Sequence, residues 1–387
     1  MGVILPKPVT SKVVERSGST HVFAGVCSVN GYRTTMEDSH AMVLGDRMFF
    51  GVFDGHSGDK CSAFVAEHLP GRILGVPSPI SDATYEKICL DLDEEFLAAD
   101  GSGGTTATFC LVERGENQKY QVTVNNVGDS RILHVRNGEI LGATHDHKPQ
   151  NPEEKKRIEA CGGAVRMNRV DGDLAVSRAF GDGAFKRNRE NPRNQKVIAV
   201  PDIFRVTCEV DDLLIIACDG VFEGSFPSED VAKFVAQQIS QLPAPVDLGI
   251  VSARVCDHAI RRGSKDNITC MVVQFTNGTE ALEKYGEKSF VPGPPYPKSH
   301  DNSRVAYTRM ASMAGYTCAS ALQMRYALLQ AHLNDQLSAQ PMICQTAFEM
   351  SDDVEIEMEK AFFGSGPPAG SDESQWFASL ADPYAPK

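Results

Sequence analysis

The chain has 387 residues, enough for one large domain with an appendage or for two domains. Its 42% hydrophobic content is typical of a globular protein, and its net charge of −13 argues against a general nucleic-acid binder, which needs a basic surface. The eleven cysteines occur singly, without a Cys-x-x-Cys pair. We therefore expect a reducing compartment rather than a disulfide framework or a zinc site.

The predicted elements form alternating blocks between residues 21 and 277. Residues 1–20 are polar with two prolines and are predicted to form an N-terminal arm. The strand patterns "HVFAGVCSVN", "SHAMVLG" and "MFFGVF" come first, two helical patterns follow at 58–69 and 82–98, and strands return in "TATFCLV", "YQVTVNNVG" and "RILHV".

A second block follows the same plan. It contains a charged helix, "PEEKKRIEACGG", the strands "KVIAV" and "DLLIIACDG", the helices "PSEDVAKFVAQQIS" and "VSARVCDHAIRRG", and the strand "ITCMVVQF". Ser228 is the predicted N-cap of the first of these last two helices. Runs of strands separated by helix pairs favour an α+β fold, with sheets packed in two layers and helices outside.

The composition changes after residue 277. Residues 278–302 are predicted to be a Pro-rich linker, 303–363 a helical C-terminal segment, and 364–387 a disordered tail. The helical prediction rests on a leucine-rich stripe from Leu322 to Leu337 and on Gly364 as a stop signal.

Two of the five Asp-Gly dipeptides follow strands that are too apolar for a protein surface: "MFFGVFDG" and "LLIIACDG". Asp54 and Asp219 are therefore each either a turn residue or a partly desolvated carboxylate that needs a cation. If the two strands lie side by side, both carboxylates reach one ion. Glu37-Asp38 also precedes a predicted strand and is either a pair of further ligands or a solvated surface pair, and Asp266 is either a ligand or part of a turn that leads into the next strand.

This carboxylate set favours Mg²⁺ or Mn²⁺, because hard divalent cations prefer oxygen ligands. Two such metals can share a water and lower its pKa. His56, two residues after Asp54, is either a general acid or a loop histidine. Arg33 is either a bidentate phosphate ligand or an ordinary salt-bridge partner.

Taken together, these motifs resemble the metal-dependent Ser/Thr protein phosphatases of type 2C, the PPM family. The matching stretches, in the family's order, are "GYRTTMEDSH", "FFGVFDGHSG", "SGGTTATFCLV", "NVGDSRILHVRNG", "THDHKP", "GGAV…RVDGDLAVSRAFGD", "IIACDGVFE" and "GSKDNIT". They cover residues 20–277. The resemblance implies a central β-sandwich of two antiparallel sheets flanked by pairs of α-helices, with a C-terminal helical appendage.

The resemblance also implies two metals per site and the residues that hold them. Asp54 would bridge both metals, the carbonyl of Gly55 would bind the second, and Asp219 and Asp266 would hold the first. Glu37 and Asp38 would act directly or through water. Arg33 would bind the substrate phosphate, and His56 would protonate the leaving Ser or Thr oxygen. Asp146 matches a position that binds a third metal in some relatives.

The expected function is hydrolysis of phosphoserine and phosphothreonine in proteins, by in-line attack of a hydroxide that bridges two metals. Alternatives are a two-metal phosphodiesterase or nuclease, and a scaffold that keeps the site. "GAFKRNRENPRNQK" matches the family's variable flap, and its basic cluster, including Arg187 and Arg189, either attracts acidic substrates or is a solvated loop.

The N-terminal "MGVILPKP" resembles family members that carry myristate on Gly2, although Pro6 occupies the position where the general motif has Ser or Thr. One acyl chain would give only weak, reversible membrane contact. We expect a monomer in the cytoplasm that acts on phosphorylated proteins and not on nucleic acid, with nuclear or membrane-associated pools as alternatives.

Overall fold

Two antiparallel sheets form the centre of the molecule. The computed structural model describes residues 4–99, 101–188, 190–278, 288–297 and 299–381. The strands are β1 Ile4–Gly18, β2 Val22–Arg33, β3 Ser39–Val43, β4 Arg47–Phe53, β5 Gly55–His56, β6 Gly104–Thr105, β7 Ala107–Arg114, β8 Tyr120–Val127, β9 Arg131–Arg136, β10 Glu139–Ala143, β11 Val165–Arg166, β12 Arg169–Val170, β13 Phe180–Gly181, β14 Asp202–Cys208, β15 Leu213–Ala217, β16 Ile268–Phe275 and β17 Lys288–Val291.

The two large sheets pack face to face. One has seven strands in the order β10-β9-β15-β16-β2-β1-β17, and the other has five in the order β14-β8-β7-β4-β3. Alternate side chains of both sheets fill the layer between them, with Val26, Phe50, Ile216 and Met271 fully buried. Burying a side chain of this kind contributes about 1.5–3 kcal/mol, so this layer is a main source of stability.

Helices cover both outer faces of the sandwich. They are α1 Lys60–Leu74, α2 Asp82–Ala99, α3 Pro152–Ala160, α4 Ser228–Gln241, α5 Leu248–Arg261, α6 Asp301–Met313, α7 Cys318–Leu333, α8 Met342–Gln345, α9 Asp353–Phe363 and α10 Glu373–Ala381. The pair α1 and α2 packs on the five-stranded sheet, and the pair α4 and α5 packs on the seven-stranded sheet. The predicted sandwich flanked by helix pairs is therefore confirmed.

The C-terminal helices extend the layer formed by α4 and α5. Buried side chains of α6, α7, α9 and α10 join the same apolar cluster as that helix pair. Phe377 of α10 is 2% exposed, although residues 364–387 were predicted to be disordered. That prediction is wrong for α10, because Phe377 and the neighbouring Trp376 pack beside the Tyr326 ring of α7.

The N-terminal arm prediction is also wrong for the described residues, because β1 pairs with β2 and β17 inside the large sheet. Polar residues interrupt the apolar pattern of β1, so the sequence did not indicate a strand. Lys12 is only 1% exposed, and its ammonium lies 3.1 Å from the Asp257 carboxylate of α5. Within the predicted Pro-rich linker, β17 is a strand of this sheet.

Three local predictions differ from the structure. "KVIAV" makes only an isolated bridge at Ile198, because Val197 packs in a small cluster with Ile158 and Ala199 packs in the cluster beneath α1 and α2 rather than in a sheet. The strand β14 was not predicted. Ser228 is the first residue of α4 after the cap Pro227, and its hydroxyl accepts a hydrogen bond from Arg131. None of the helices in the described ranges is both long and apolar enough to cross a membrane.

Candidate metal centre and its surroundings

Asp54 and Asp219 lie at the ends of two apolar central strands, as the sequence predicted. Asp54 directly follows β4 of the five-stranded sheet, and Asp219 begins a 3-10 turn one residue after β15 of the seven-stranded sheet. Burial raises the pKa of Asp54 well above its usual value, and the charge of Asp219 raises it further. The two sheets thus place two carboxylates of like charge close together between them.

Asp38 is the most buried of the predicted metal residues. Its side chain is 6% exposed, and neither carboxylate oxygen has a hydrogen-bond partner among the described residues. Burial raises the pKa of Asp38 to about 7; the charges of Asp266 and Glu37 add to this rise, and the nearby Thr269 hydroxyl and Cys218 thiol oppose it. Ligand atoms of Asp38, Asp54 and Cys218 lie within 4.8 Å of one another.

A second group of acids adjoins the first. Oxygens of Asp219, Glu223 and Asp266 lie within 4.8 Å of one another. Burial raises the pKa of Asp219, with Asp129 and Asp266 as the largest charge contributions. Glu223 was not predicted. Its signal was its place four residues after Asp219, in "DGVFE", where a turn brings both acids to the same side.

Glu37 and Arg33 lie at the rim of these carboxylates. The Arg33 guanidinium makes an ion pair with Asp266, and its side chain is 41% exposed. The Glu37 carboxylate accepts hydrogen bonds from the Thr35 hydroxyl at 2.8 Å and from the Gly58 backbone N–H at 3.2 Å. All the predicted metal residues except Asp146 therefore converge on one region.

Backbone contacts fix this arrangement. A Cβ on Gly55 would lie 2.3 Å from the carbonyl oxygen of Glu37, so the loop before β3 can approach the turn after β4 only where a glycine stands. The Asn267 amide donates to the carbonyls of Asn30 and Thr35, each at 2.8 Å, and its oxygen accepts from the Glu37 N–H at 3.0 Å. Asn267 thus ties the residues before β16 to the loop that carries Glu37.

His56 faces a carboxylate that sequence reasoning did not assign to the site. Its Nε2 lies 2.7 Å and 2.9 Å from the two carboxylate oxygens of Asp182. Burial lowers the pKa of His56, but the hydrogen bond and charge of Asp182 outweigh this effect, and the pKa is raised overall. Asp182 belongs to "RAFGD", which the sequence suggested only as a structural signature.

Two further aspartates lie beside the acids without joining either group. Asp129 is 3% exposed and forms an ion pair with Lys148, and its charge acts on both Asp54 and Asp219. Asp146 accepts two hydrogen bonds from the Arg131 guanidinium, at 2.8 Å and 2.9 Å. The third-metal candidate is therefore engaged by an arginine here.

Most of the flap's positive charge is neutralised by the chain itself. Lys186 is buried against Asp93, Arg193 pairs with Glu86, and Lys196 pairs with Asp171. Arg187 is exposed. The other predicted flap arginine, Arg189, lies outside the described residues, as does the lipidation candidate Gly2.

The acids satisfy the requirements of a hard-cation site. Partly buried like charges repel one another and need positive charge to be stable at neutral pH. The two groups consist of carboxylates, with Cys218 as the single sulfur, and burial raises the pKa of that thiol well above its usual value. The unpartnered oxygens of Asp38 are suited to ligate an ion or its bound water.

Comparisons with known proteins agree with this geometry. Residues 23–268 match the family model "Protein phosphatase 2C", which covers more than half of the chain. The chain therefore belongs to the protein phosphatase 2C family. The match includes every predicted metal residue and His56.

Similar proteins carry phosphatase names. The chain is 32% identical over 317 residues to "Protein phosphatase 1B" of Homo sapiens, with 74% of this chain and 64% of that protein covered. It is 34% identical over 319 residues to "Protein phosphatase 2C homolog 2" of Hypocrea jecorina, with 74% and 70% covered. The chain thus spans slightly less than two thirds of the length of the human protein.

A solved structure has the same fold. The match is to a structure described as "Crystal structure of a phosphatase from a pathogenic strain Toxoplasma gondii". It has a TM-score of 0.65 and 30% sequence identity, with 72% of this chain and 99% of the solved chain covered. The structural similarity therefore extends over most of the chain and is not confined to the C-terminal helices.

Proposed function

We propose that the chain is a protein serine/threonine phosphatase that depends on two Mg²⁺ or Mn²⁺ ions. One observation carries the proposal: four carboxylates converge, those of Asp38, Asp54, Asp219 and Asp266. The described part of the chain does not supply a cation to neutralise each of them. In a member of the protein phosphatase 2C family, such a cluster is suited to hold the metals of a phosphate-ester hydrolase.

Six residues would hold the metals in this proposal. The side chains are Asp54 as the bridging ligand, Asp219 and Asp266 on one metal, and Glu37 and Asp38 directly or through water; the sixth ligand is the carbonyl of Gly55. When bound, the two cations would neutralise phosphate charge and supply an activated water. Asp146 is the candidate for a third, weaker ion, for which the Arg131–Asp146 pair would have to open.

Arg33 and His56 would act on the phosphate ester itself. Arg33 is exposed enough to donate to phosphate oxygens while it stays near Asp266. In the reaction, a water oxygen forms a bond to phosphorus and the bond from phosphorus to the Ser or Thr oxygen breaks. His56 would give its proton to that leaving oxygen, and the paired carboxylate of Asp182 supports the protonated imidazole.

The substrates would be phosphorylated proteins, with Arg187 of the flap as one exposed cation that attracts acidic ones. We further propose a monomer in the cytoplasm, with a nuclear pool as an alternative and a membrane-associated pool if Gly2 is acylated.

The direct test is hydrolysis of a phosphothreonine peptide by the full chain with Mn²⁺, with EDTA and with Asp54→Ala. We expect activity with Mn²⁺ only in the unaltered protein. A DNA substrate and bis(4-nitrophenyl) phosphate assayed in parallel test the phosphodiesterase alternative. Activity that survives Asp54→Ala would contradict the mechanism. Metal-replete protein without activity on any phosphopeptide would favour the scaffold alternative.

A further inference from the structure

The contact between His56 and Asp182 depends on a small sheet of three short strands, β13-β6-β5. Gly104 of β6 pairs with His56 on one side and with Gly181 on the other. A Cβ on Gly104 would lie 2.3 Å from the Asp182 carboxylate and 2.6 Å from His56 Nε2. The two side chains therefore meet in the space that this glycine leaves open.

Asp182 has an unusual backbone conformation for a residue with a side chain. Its φ of 55° lies in the left-handed region, which costs free energy for residues other than glycine. Its N–H donates to the Gly103 carbonyl at 2.8 Å, and its carbonyl accepts from the Phe185 N–H at 2.9 Å. The residues on either side of Asp182 are held by further contacts.

Asp93 of α2 contacts residues on both sides of Asp182. One of its carboxylate oxygens accepts from the Gly181 N–H at 2.7 Å, and both oxygens accept from Lys186 Nζ at 2.8 Å. Lys186 Nζ also donates to the Ala179 carbonyl at 2.6 Å. Asp93 therefore holds the chain on both sides of Asp182.

This ion pair is fully internal. The Lys186 side chain is 0% exposed and that of Asp93 is 7% exposed. A buried pair of this kind is a poor source of stability, since apolar residues of similar volume often replace it without loss. The pair instead fixes local geometry, because its bonds join Ala179 and Gly181, before Asp182, to Lys186, after it.

We propose that the Asp93–Lys186 pair is a positioning device that holds Asp182 against His56 and so aims the proton donor at the leaving oxygen. This inference rests on the proposed phosphatase function. Asp93, Lys186 and Asp182 touch neither substrate nor metal in it. They act through His56, so their loss affects reactions in which the leaving oxygen needs a proton.

Leaving-group chemistry separates this role from a merely structural one. When the P–O bond of a phosphothreonine peptide breaks, the alkoxide must take up a proton, which His56 provides. The 4-nitrophenolate released from 4-nitrophenyl phosphate is a weak base and leaves without one. The ratio of kcat on phosphopeptide to kcat on 4-nitrophenyl phosphate therefore reports proton delivery, whereas general damage lowers both values together.

The experiment measures this ratio in the full chain with Mn²⁺. In Asp182→Asn we expect the ratio to fall at least about tenfold, within the range that general acid catalysis supplies. The double variant Asp93→Leu/Lys186→Met removes both buried charges and the acceptor for the Gly181 N–H, and we expect a similar fall. Asp93→Asn/Lys186→Met keeps an acceptor for the Gly181 N–H but loses the bonds of Lys186, so we expect a smaller fall of about threefold.

Asp91→Asn is the matched control on α2. Asp91 pairs with Lys87 on the exposed face of the same helix, so its ratio should not change. If Asp93→Leu/Lys186→Met fails to fold by circular dichroism, Asp93→Glu replaces it. The longer side chain keeps the charge beside Lys186 but displaces the acceptor, and the same fall is expected.

The outcomes separate the two levels of the proposal. If the unaltered protein hydrolyses both substrates, but the Asp182 and Asp93 variants lose activity equally on both or lose none, the positioning role alone is overturned. An unaltered protein that hydrolyses neither substrate overturns the proposed function, and the positioning role with it.

Discussion

Two regions of this molecule bury charge in opposite ways. In the C-terminal layer, the Arg325 guanidinium of α7 is 0% exposed but donates to the Glu359 carboxylate and to the carbonyls of Pro292 and Ala347. In the candidate metal centre, carboxylates lie together, and Asp38 has no hydrogen-bond partner within the described chain. The first region is complete by itself, whereas the second requires cations from outside.

The difference shows how structural charge can be separated from functional charge. Buried ions that the chain pairs internally hold elements together, as Lys12 and Asp257 join β1 to α5. Buried ions that repel one another destabilise the protein until a ligand binds. Substitutions should therefore act with opposite sign on the stability of the metal-free protein in the two regions.

The largest expected effect is in the paired region. Glu359→Ala leaves Arg325 buried without its carboxylate, which should lower the free energy of unfolding by about 3–5 kcal/mol. Urea unfolding in EDTA measures this. The double variant Arg325→Met/Glu359→Leu removes both charges and should lose much less. Equal losses in the two variants would show that lost packing, and not the unpaired charge, accounts for the effect.

Asp54→Asn should affect activity strongly and stability in the opposite direction. We expect kcat to fall about 100- to 1,000-fold, as when a group that stabilises transition-state charge is lost. In EDTA the variant should unfold at higher urea concentration, because one of several repelling carboxylates is gone. Asp91→Asn, on the exposed face of α2, is the control. A metal-free Asp54→Asn protein that is less stable than the original would contradict this account of repulsion.

Acid should weaken a paired carboxylate in β1. The hydrogen bond from His40, together with Lys288, lowers the pKa of Glu15 from 4.5 to about 2. The folded pKa lies below the unfolded value, so the stabilisation is complete above pH 4.5 and is lost as the pH falls toward 2. Because Glu15 is partly exposed, we expect about 1 kcal/mol. Unfolding of Glu15→Gln across this window should show a flatter acid limb, and an unchanged limb would rule the linkage out.

The smallest expected effect concerns the flap. With Lys186, Arg193 and Lys196 paired internally, Arg187 is the described flap cation left to attract substrates. Arg187→Glu should lower kcat/KM for an acidic phosphopeptide about threefold at low salt and less at high salt. A neutral phosphopeptide serves as the control substrate. If kcat/KM for the acidic peptide at low salt does not change, the flap is a solvated loop that does not attract substrates.

The sequence predicted the centre of the site well because its signal is local. An apolar strand that ends in aspartate, as before Asp54 and Asp219, indicates both the buried strand and the carboxylate at its end. The same reasoning did not find Asp93 or Gly104. Asp93 is a polar residue on a helix, and its role arises only when the register of β13, β6 and β5 brings Gly181 to it.

Non-local pairing also explains the errors in the fold. The strand β1 was missed because buried polar residues such as Ser11 and Lys12 break its apolar pattern, and because its partner β17 lies far along the chain, with Lys12 paired to Val291. The helix α10 was missed because its stability comes from Phe377 packing on α7 rather than from its own sequence. In both places, tertiary contacts outweigh local propensity.

The most direct test of the central claim is a Mn²⁺ titration of the full chain, followed by electron paramagnetic resonance of the free ion. The account predicts tight binding of about two Mn²⁺ ions per chain, and a loss of at least one of them in Asp54→Asn but not in Asp91→Asn. A chain that binds no Mn²⁺, or one that binds it equally well without the Asp54 carboxylate, would contradict the account.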